Sequence, residues 1–567
     1  MKKLKIGLGI IGVAFSFTIS LAQSDLVKFG AISRGVLQES TLDEADTTNP
    51  NRNSGGQTVV DLRMNINPNR KTEIGSVIRL QSELGGYFGA GSEIALRQLY
   101  VKGLLYDVVS YELGDIYLEL SPYTLFNSDG ELSQNEAKIF NQLRTDFSEY
   151  DNFNIGNSWW TQGGHVNFGF EFDSTESKGV QFDVFSSRIR AASTMRFMSG
   201  GRVSLLNKDK YNVKANVVSV FDAKRVTPLE ESVQNTVASL EWAYHISKTI
   251  SFVGESGMSN YSVAAPYDFV GEYLVPDDRN GEFINTGLKL KFLDGRIKSS
   301  AKYLRNSANF YSAGAQSKRL NFMGAPELFL NVANNPFQNR QLNIYDLIGN
   351  RNIYNAEISN TLMAYNPLYG NVLPYGEATP NRTGLLLDVV YSDSTLLKAG
   401  FDFALLSDVT GVGTDNKRSF MRFNAFASVD VAKLLAYKKD FTVGGSFTTE
   451  NTSRDGSISA IDLKSNSINT NLEFEVFNKL YVLGGIKILA GSGNEFLYDL
   501  SDQNTYAIPA SYTVNVNQLV TGVGARYQFS EKMYLSIKNF NVNVEDKQDD
   551  ALSYAFNQWM LFFSLKL

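Results

Sequence analysis

Apolar and polar residues alternate at every second position in many short segments, from about residue 26 to the last residue. Clear examples are the segments 60–67, 166–173, 468–476 and 518–529. Because a strand points successive side chains to opposite faces, this alternation predicts strands with one apolar and one polar face. Counting such segments predicts about 22 strands, with roughly 18 to 22 as the range, since each strand carries only a weak signal.

The connections between these segments alternate between tight turns and long polar stretches. The tight turns lie at 67–70, 207–209, 293–296, 437–439, 478–479 and 530–532. The long stretches lie at 41–56, 121–164, 312–380, 454–466 and 491–513. Short turns at one end and long loops at the other are typical of a transmembrane antiparallel up-and-down β-barrel. The sequence therefore predicts an all-β fold with long extracellular loops and both chain ends at the periplasmic, short-turn side.

One hairpin can be predicted in register. Asp294-Gly295 is a signal for a two-residue type I′ turn, which pairs Leu293 with Arg296 and Phe292 with Ile297. Continuing outward, Lys291 meets Lys298, Leu288 meets Ala301 and Thr286 meets Tyr303. The apolar partners then share one face throughout, and a slip of one residue would destroy that agreement.

The last eleven residues, NQWMLFFSLKL, are patterned like a strand with one apolar face. That face carries Trp559, Leu561, Phe563, Leu565 and Leu567, and we expect it to contact lipid. Backbone groups in lipid must all be paired, so the sheet has to close on itself. We therefore expect the terminal strand to pair with a strand near residues 26–40.

The N-terminus and the composition narrow the class further. Lys2, Lys3 and Lys5 precede an apolar run and a small-residue site at 20–22, which predicts a signal peptide over 1–22 and a single barrel domain over 23–567. Without those three lysines, 50 basic side chains stand against 59 acidic ones, which argues against nucleic-acid binding. No cysteine occurs, and the two histidines lie in no catalytic or metal motif, so we expect no enzyme, no cofactor and no metal site.

The signal peptide, the repeated hairpins and the apolar terminal strand together resemble a porin-like outer-membrane barrel of Gram-negative bacteria. The resemblance implies an outer-membrane location, contact with membrane lipid and lipopolysaccharide, and recognition of the C-terminal strand by the barrel-assembly machinery. Such strands usually end in an aromatic residue, whereas this chain ends in Leu567.

Charged residues on the polar faces are candidates for lining the pore. The basic candidates are Lys289, Lys291, Lys298, Lys302, Arg63, Arg79, Arg422 and Arg526. The acidic candidates are Glu171, Asp173, Asp183 and Glu241, with Asp61, Glu83 and Asp388 as further acidic positions. The lysines would attract anions near the periplasmic mouth. Alternatively, they are individually solvated wall residues, or they contact lipopolysaccharide if the polar face points outward. A transverse field would follow if the acids of 171–183 faced the bases of 289–302.

The stretch 121–164 predicts a helix inside an otherwise all-β chain. Ser133 and Glu136 form a capping box, and Ile139, Phe140, Leu143 and Phe147 then recur at helical spacing. Porin-like barrels resemble this where a loop folds inward and narrows the channel. Tyr150, Trp159 and Trp160 follow and could stack on a flat ligand, but an aromatic belt at the membrane interface is the favoured explanation for the two tryptophans.

The stretch 312–380 is rich in Asn, Tyr, Pro and Gly, which suits a hydroxyl-rich ligand. A solvent-facing lid packed on itself is the simpler expectation. Glycines inside strands, such as Gly485 and Gly522, are expected to ease the curvature of the wall. These observations favour a passive or weakly selective channel for small hydrophilic solutes. The alternative is a non-conducting structural, assembly- or secretion-associated barrel that docks partners.

Overall fold

The computed structural model describes most of the chain with gaps, and every structural statement below concerns the described residues. They are 26–45, 49–83, 92–126, 137–143, 161–173, 178–189, 196–207, 210–223, 232–264, 277–316, 367–393, 396–457, 459–497 and 510–567. The predicted signal peptide lies outside them. Within them, no helix is both long and apolar enough to cross a membrane.

The described residues form one sheet of 22 antiparallel strands. The strands are β1 Val27–Glu44, β2 Asn51–Asn69, β3 Thr72–Glu83, β4 Ser92–Leu105, β5 Val109–Asp115, β6 Thr161–Asp173, β7 Lys178–Ile189, β8 Arg196–Asn207, β9 Tyr211–Asp222, β10 Ser232–His245, β11 Ile250–Ala264, β12 Asp277–Phe292, β13 Ile297–Asn306, β14 Arg382–Ser392, β15 Leu397–Ser407, β16 Ser419–Asp430, β17 Phe441–Arg454, β18 Ile461–Phe477, β19 Leu480–Leu497, β20 Ala510–Ser530, β21 Met533–Asp546 and β22 Tyr554–Lys566.

Short helical pieces lie between the strands. The α-helices are α1 Lys138–Leu143, α2 Ala313–Gln316 and α3 Val431–Leu434. Single 3₁₀ turns lie at Leu293–Gly295, Pro367–Tyr369, Gly376–Ala378 and Asp550–Leu552.

The first and last strands pair with each other and close the ring. β1 and β22 run antiparallel, with Ile32 opposite Lys566 and Glu44 opposite Tyr554. Every other strand pairs with its two neighbours in the sequence, so the connectivity is up-and-down. The predicted barrel and its closure by the terminal strand are therefore confirmed, with the strand number at the upper end of the expected range.

The hairpin predicted from Asp294-Gly295 is confirmed in register. Phe292 pairs with Ile297, and the pairing continues unbroken to Phe283 and Asn306. The Arg296 N–H donates to the Leu293 carbonyl at 3.1 Å. Asp294 and Gly295 have φ of 55° and 86°. Positive φ at both central positions is what a type I′ turn requires, and glycine adopts it without strain.

The connections differ in length at the two ends, as expected of this class. At the short-turn end, β2 and β3 are joined by residues 70–71, and most other connections there have two to four residues. The turn predicted at 437–439 is wrong in extent, because the connection spans 431–440 and includes α3. At the long-loop end, the two longest connections are 116–160 and 307–381.

Three stretches predicted as long loops are much shorter. The connections are 45–50, 455–460 and 498–509, whereas the polar sequence predicted 41–56, 454–466 and 491–513. The reason is that the strands continue past the lipid-facing belt, where the outward face becomes polar. On β18, Ile468 lies within the apolar outward belt, whereas Asp462 and Lys464 occupy the same face further along. Ile461 and Leu463 then face inward and are buried.

This exchange of polarity predicts different tolerance to charge along β20. Val523 points outward within the apolar belt, and Thr513 points outward on the same strand beyond it. We expect Val523→Lys to lower the free energy of unfolding by about 2–4 kcal/mol, because a lysine at the bilayer midplane is costly, and Thr513→Lys by about 0–1 kcal/mol. Urea titration of both variants in lipid vesicles measures the difference. Equal losses would contradict the assignment of the belt.

Candidate functional site

The inward face of the barrel is polar where the outward face is apolar. On β2, Leu62 is 42% exposed on the outside, whereas the neighbouring Asp61 is 0% exposed and points inward. Strand alternation places nearly all the predicted pore-lining side chains on this inward face: Arg63, Arg79, Glu171, Asp183, Glu241, Lys289, Lys291, Lys298, Lys302, Arg422 and Arg526. Asp388 also points inward. The side chains of Asp173 and Glu83 lie outside the described residues.

Several of these inward charges are paired with charges on other strands of the wall. Arg79 donates two hydrogen bonds of 2.7 Å to Asp61, forming a bidentate pair. Arg526 Nη2 lies 2.6 Å from Glu473 Oε1. Lys214 Nζ lies 2.8 Å from Glu241 Oε1, where β9 faces β10. Arg422 likewise pairs with Asp402, at 3.1 Å. Such pairs neutralise the wall locally and fix the positions of the side chains.

The acidic and basic walls predicted from the sequence do not face each other. Glu171 and Asp183 lie on β6 and β7, and the lysines lie on β12 and β13. Six strand positions out of 22 separate them, which is about a quarter of the circumference. Asp183 also accepts hydrogen bonds from His165 and Asn167. A transverse field was expected only if these two walls faced each other, and this condition is not met.

The first long loop enters the barrel directly after β5. Ser121 Oγ donates to Glu255 Oε1 at 2.6 Å, and Arg202 donates to the Leu120 carbonyl. The ring of Tyr123 stacks on Phe283, with centroids 4.0 Å apart and planes 7° apart. Burial raises the pKa of the Tyr123 hydroxyl well above its ordinary value, so this side chain stays neutral.

Helix α1 of the same loop lies against the inward face of a different part of the wall, formed by β18 to β21. Lys138 Nζ lies 2.5 Å from Glu473 Oε2, and Lys538 Nζ donates to the Ile139 carbonyl at 3.2 Å. Ile139 and Phe140 are buried. The described helix covers 138–143; the predicted cap at 133–136 and the continuation to 147 lie outside the described residues.

Two strand glycines make room for α1. A Cβ on Gly485 would lie 2.8 Å from Ile139 Cγ2, and one on Gly522 would lie 2.9 Å from the Phe140 ring. Real Cβ contacts are not this short, so only glycine allows the helix to approach. These two glycines therefore form the seat of the helix, and their effect on the curvature of the wall stays a prediction.

The second long loop crosses the barrel interior. Glu377 accepts from Lys302 at 2.7 Å and from Asn285 at 2.8 Å, on the side of β12 and β13. Asn371 donates to Glu495 at 2.8 Å and to Thr452 at 2.9 Å, on the side of β19 and β17. We call residues 367–379 the crossbar. The expected solvent-facing lid is wrong for this part of the loop, because the crossbar is fixed between walls.

The end of β13 and the residues 310–316 that follow it support the crossbar. The Gln316 side chain donates to the Ala378 carbonyl at 2.7 Å, and Asn306 donates to the Glu377 and Thr379 carbonyls, both at 2.7 Å. The Phe126 N–H donates to the Gly314 carbonyl at 3.0 Å, which joins this segment to the first loop. The two long loops thus form one hydrogen-bonded body inside the barrel.

A buried ionic network that sequence reasoning missed holds the crossbar to β14. Asp408 accepts from Arg382 at 3.2 Å and from Arg418 at 2.8 Å, and it is 0% exposed. Arg382 also donates to the Asn371 and Val372 carbonyls, both at 3.0 Å. Asp408 and Arg418 flank an irregular connection without periodicity, so only their opposite charges could have suggested the pair.

The remaining candidates are three aromatic residues of the first long loop and a histidine of β10. Tyr150, Trp159 and Trp160 lie outside the described residues, so both their stacking and their belt roles stay predictions. His245 Nδ1 lies 2.8 Å from Ser251 Oγ on the inward face. Among the described residues, no group of three or more His, Asp or Glu side chains could hold a metal ion.

No protein-family model and no curated protein matches the chain. Among solved structures it is similar to the ferric citrate transporter FecA in its unliganded form, with 9% identity and a TM-score of 0.47 over 95% of this chain and 78% of that one. OccAB4 of Acinetobacter baumannii gives 10% identity and 0.32 over 96% and 99%. A BenF-like porin from Pseudomonas fluorescens Pf-5 gives 7% identity and 0.32 over 95% and 99%.

Structural similarity at these low TM-scores does not identify a protein family. The fold class therefore follows from the closed ring of strands and its apolar outward belt. The chain is a closed antiparallel β-barrel of 22 strands. A closed sheet leaves no unpaired edge, and an apolar exterior matches the hydrocarbon layer of a bilayer. What distinguishes this barrel is its interior, which holds α1, the crossbar and their supporting segments.

Proposed function

We propose that this barrel is a passive, weakly selective channel for small hydrophilic solutes, and that its two inward-folded loops narrow the passage. The observation that carries the proposal is the polar inward wall, whose charges line the lumen opposite an apolar exterior. A barrel of this strand number is wide enough to need narrowing if it is to exclude larger solutes. Solutes would diffuse along the polar wall, and α1 and the crossbar would set the size limit.

The membrane and assembly partners belong to the same proposal. The outward belt would contact outer-membrane lipid and lipopolysaccharide. The terminal strand β22 would be recognised by the barrel-assembly machinery through Trp559, Leu561, Phe563 and Leu565, which alternate on its outward face. No catalytic role is proposed for either histidine.

A second candidate is a non-conducting structural or assembly- and secretion-associated barrel. It is favoured by apolar clusters inside the barrel, where Ile139, Phe140 and Leu368 pack with inward-facing residues of β19 to β22. Apolar packing of this kind closes the space to water. In that case the loops would fill the lumen or present a docking surface for a partner.

Solute flux into proteoliposomes separates the two candidates. For the channel, we expect liposomes containing the purified protein to swell in an isotonic pentose solution and not in an isotonic solution of a large dextran. Liposomes without protein provide the baseline. Swelling no faster than this baseline, for protein that migrates as a folded barrel on a gel, would contradict the channel and favour the second candidate.

A further inference from the structure

The lumen carries a group of exposed lysines at its short-turn end. Lys289, Lys291, Lys298 and Lys398 point inward from β12, β13 and β15 at the short-turn end, and all four are exposed. None of the four forms an ion pair with another described residue. Lys302, which lies further along β13, is instead paired with Glu377. We call these four residues the lysine strip.

Their arrangement is unfavourable without a counter-ion. Lys291 and Lys298 are direct cross-strand partners. Like charges placed opposite each other on a sheet repel, and no described carboxylate lies between them. An inward carboxylate on β14, that of Asp388, pairs in register with Ser300 and accepts a hydrogen bond from its hydroxyl. The strip therefore has an excess of positive charge that a mobile anion would offset.

Neighbouring strands add neutral donors to the strip. Ser251 on β11 is the cross-strand partner of Lys289, and His245 on β10 is the partner of Ser251. His245 Nδ1 and Ser251 Oγ lie 2.8 Å apart and form a hydrogen bond. The ammonium groups donate to oxygen, and the hydrogen-bonded Ser251–His245 pair retains one further donor for a solute. Several donors and charges on one wall suit an oxyanion with more than one negative charge better than a neutral sugar.

The strip also lies next to the proposed constriction. Lys302, which holds Glu377 of the crossbar, is on the same strand and the same face as Lys298. A solute leaving the strip toward the long-loop end would meet the crossbar next. We infer that the lysine strip is an anion-binding site for small phosphate-type oxyanions and gives the channel its selectivity. This inference rests on the proposed function and names the solute class.

Binding can be measured without conduction. Inorganic phosphate and a hexose phosphate are each titrated into the detergent-solubilised full chain by isothermal calorimetry, followed by the triple variant Lys289→Gln, Lys291→Gln, Lys298→Gln. We expect binding to weaken about tenfold, since three exposed ionic contacts, each weak on its own, are lost together. If only inorganic phosphate binds, the free ion is the solute. If both ligands bind, the phosphate group is what the site recognises.

The matched control removes the same charge outside the lumen, with Lys438→Gln, Lys464→Gln and Lys547→Gln. Equal phosphate affinity in the wild type and the lumen variant, or no binding in the wild type, would overturn the inference. The reversal potential in a KCl gradient adds a second readout, because the lumen variant alone should lose its preference for chloride. Pentose flux without phosphate binding would refute only the anion-binding role of the lysine strip. Phosphate binding without solute flux would refute only the channel.

Discussion

Replacing Asp408 with asparagine should lower the free energy of unfolding by about 3–5 kcal/mol, because it leaves two buried guanidinium groups without their shared carboxylate. Arg382 and Arg418 are 2% and 7% exposed, so water cannot replace the lost charge. Glu495 lies 3.8 Å from Arg418, too far to substitute for the direct hydrogen bonds. Denaturant titration in lipid vesicles, followed by tryptophan fluorescence, measures the loss.

The matched control for this prediction is Asp462→Asn. Asp462 also pairs with a cation, at 3.0 Å from Lys464, but its side chain is 65% exposed on the outward face. An exposed pair contributes about 0–1 kcal/mol, so the control variant should unfold close to the wild type. Similar losses in the two variants would show that the Asp408 network does not hold the crossbar as described.

Replacing Ile139 and Phe140 together with aspartate should raise the single-channel conductance several-fold. Both side chains are buried against the glycine seat at Gly485 and Gly522, and two carboxylates cannot be buried there without partners. Helix α1 would then leave the wall, and the passage would widen. Recording in planar bilayers at fixed KCl concentration measures the change.

The same chemical change at the exposed pair Leu434 and Leu435 serves as the control. These leucines lie in and beside α3, at the short-turn end, and are 61% and 70% exposed. Their replacement by aspartate should leave the conductance at the wild-type value. If the helix variant conducts no more than this control while remaining folded, α1 does not limit the passage.

The parts of the fold that sequence could predict are those where a strong local signal and the environment agree. The hairpin around Asp294-Gly295 was predictable in register, because its turn demands positive φ and its apolar partners all face lipid. β22 was predictable because its apolar residues alternate along one outward face. Beyond the lipid belt the environment reverses, and residues such as Asp462 and Ile461 alternate with the opposite polarity, so those strand ends resembled loops.

The interior could be predicted only in part. The helical spacing of Ile139 and Phe140 indicated α1, but nothing in that spacing identified the wall it contacts. The seat at Gly485 and Gly522 involves residues more than 300 positions away, and the crossbar has no periodicity at all. Its position depends on long-range hydrogen bonds, such as those of Asn371 with Thr452 and Glu495, which a pattern along the chain does not contain.

The central claim is that the barrel conducts small solutes through a passage limited by loops inside it. The most direct test is single-channel recording on the unmodified chain and on the Ile139→Asp, Phe140→Asp variant in the same planar bilayers. We expect discrete steps for the unmodified chain and larger steps for the variant. The absence of steps from both proteins, each folded and inserted, would contradict the central claim.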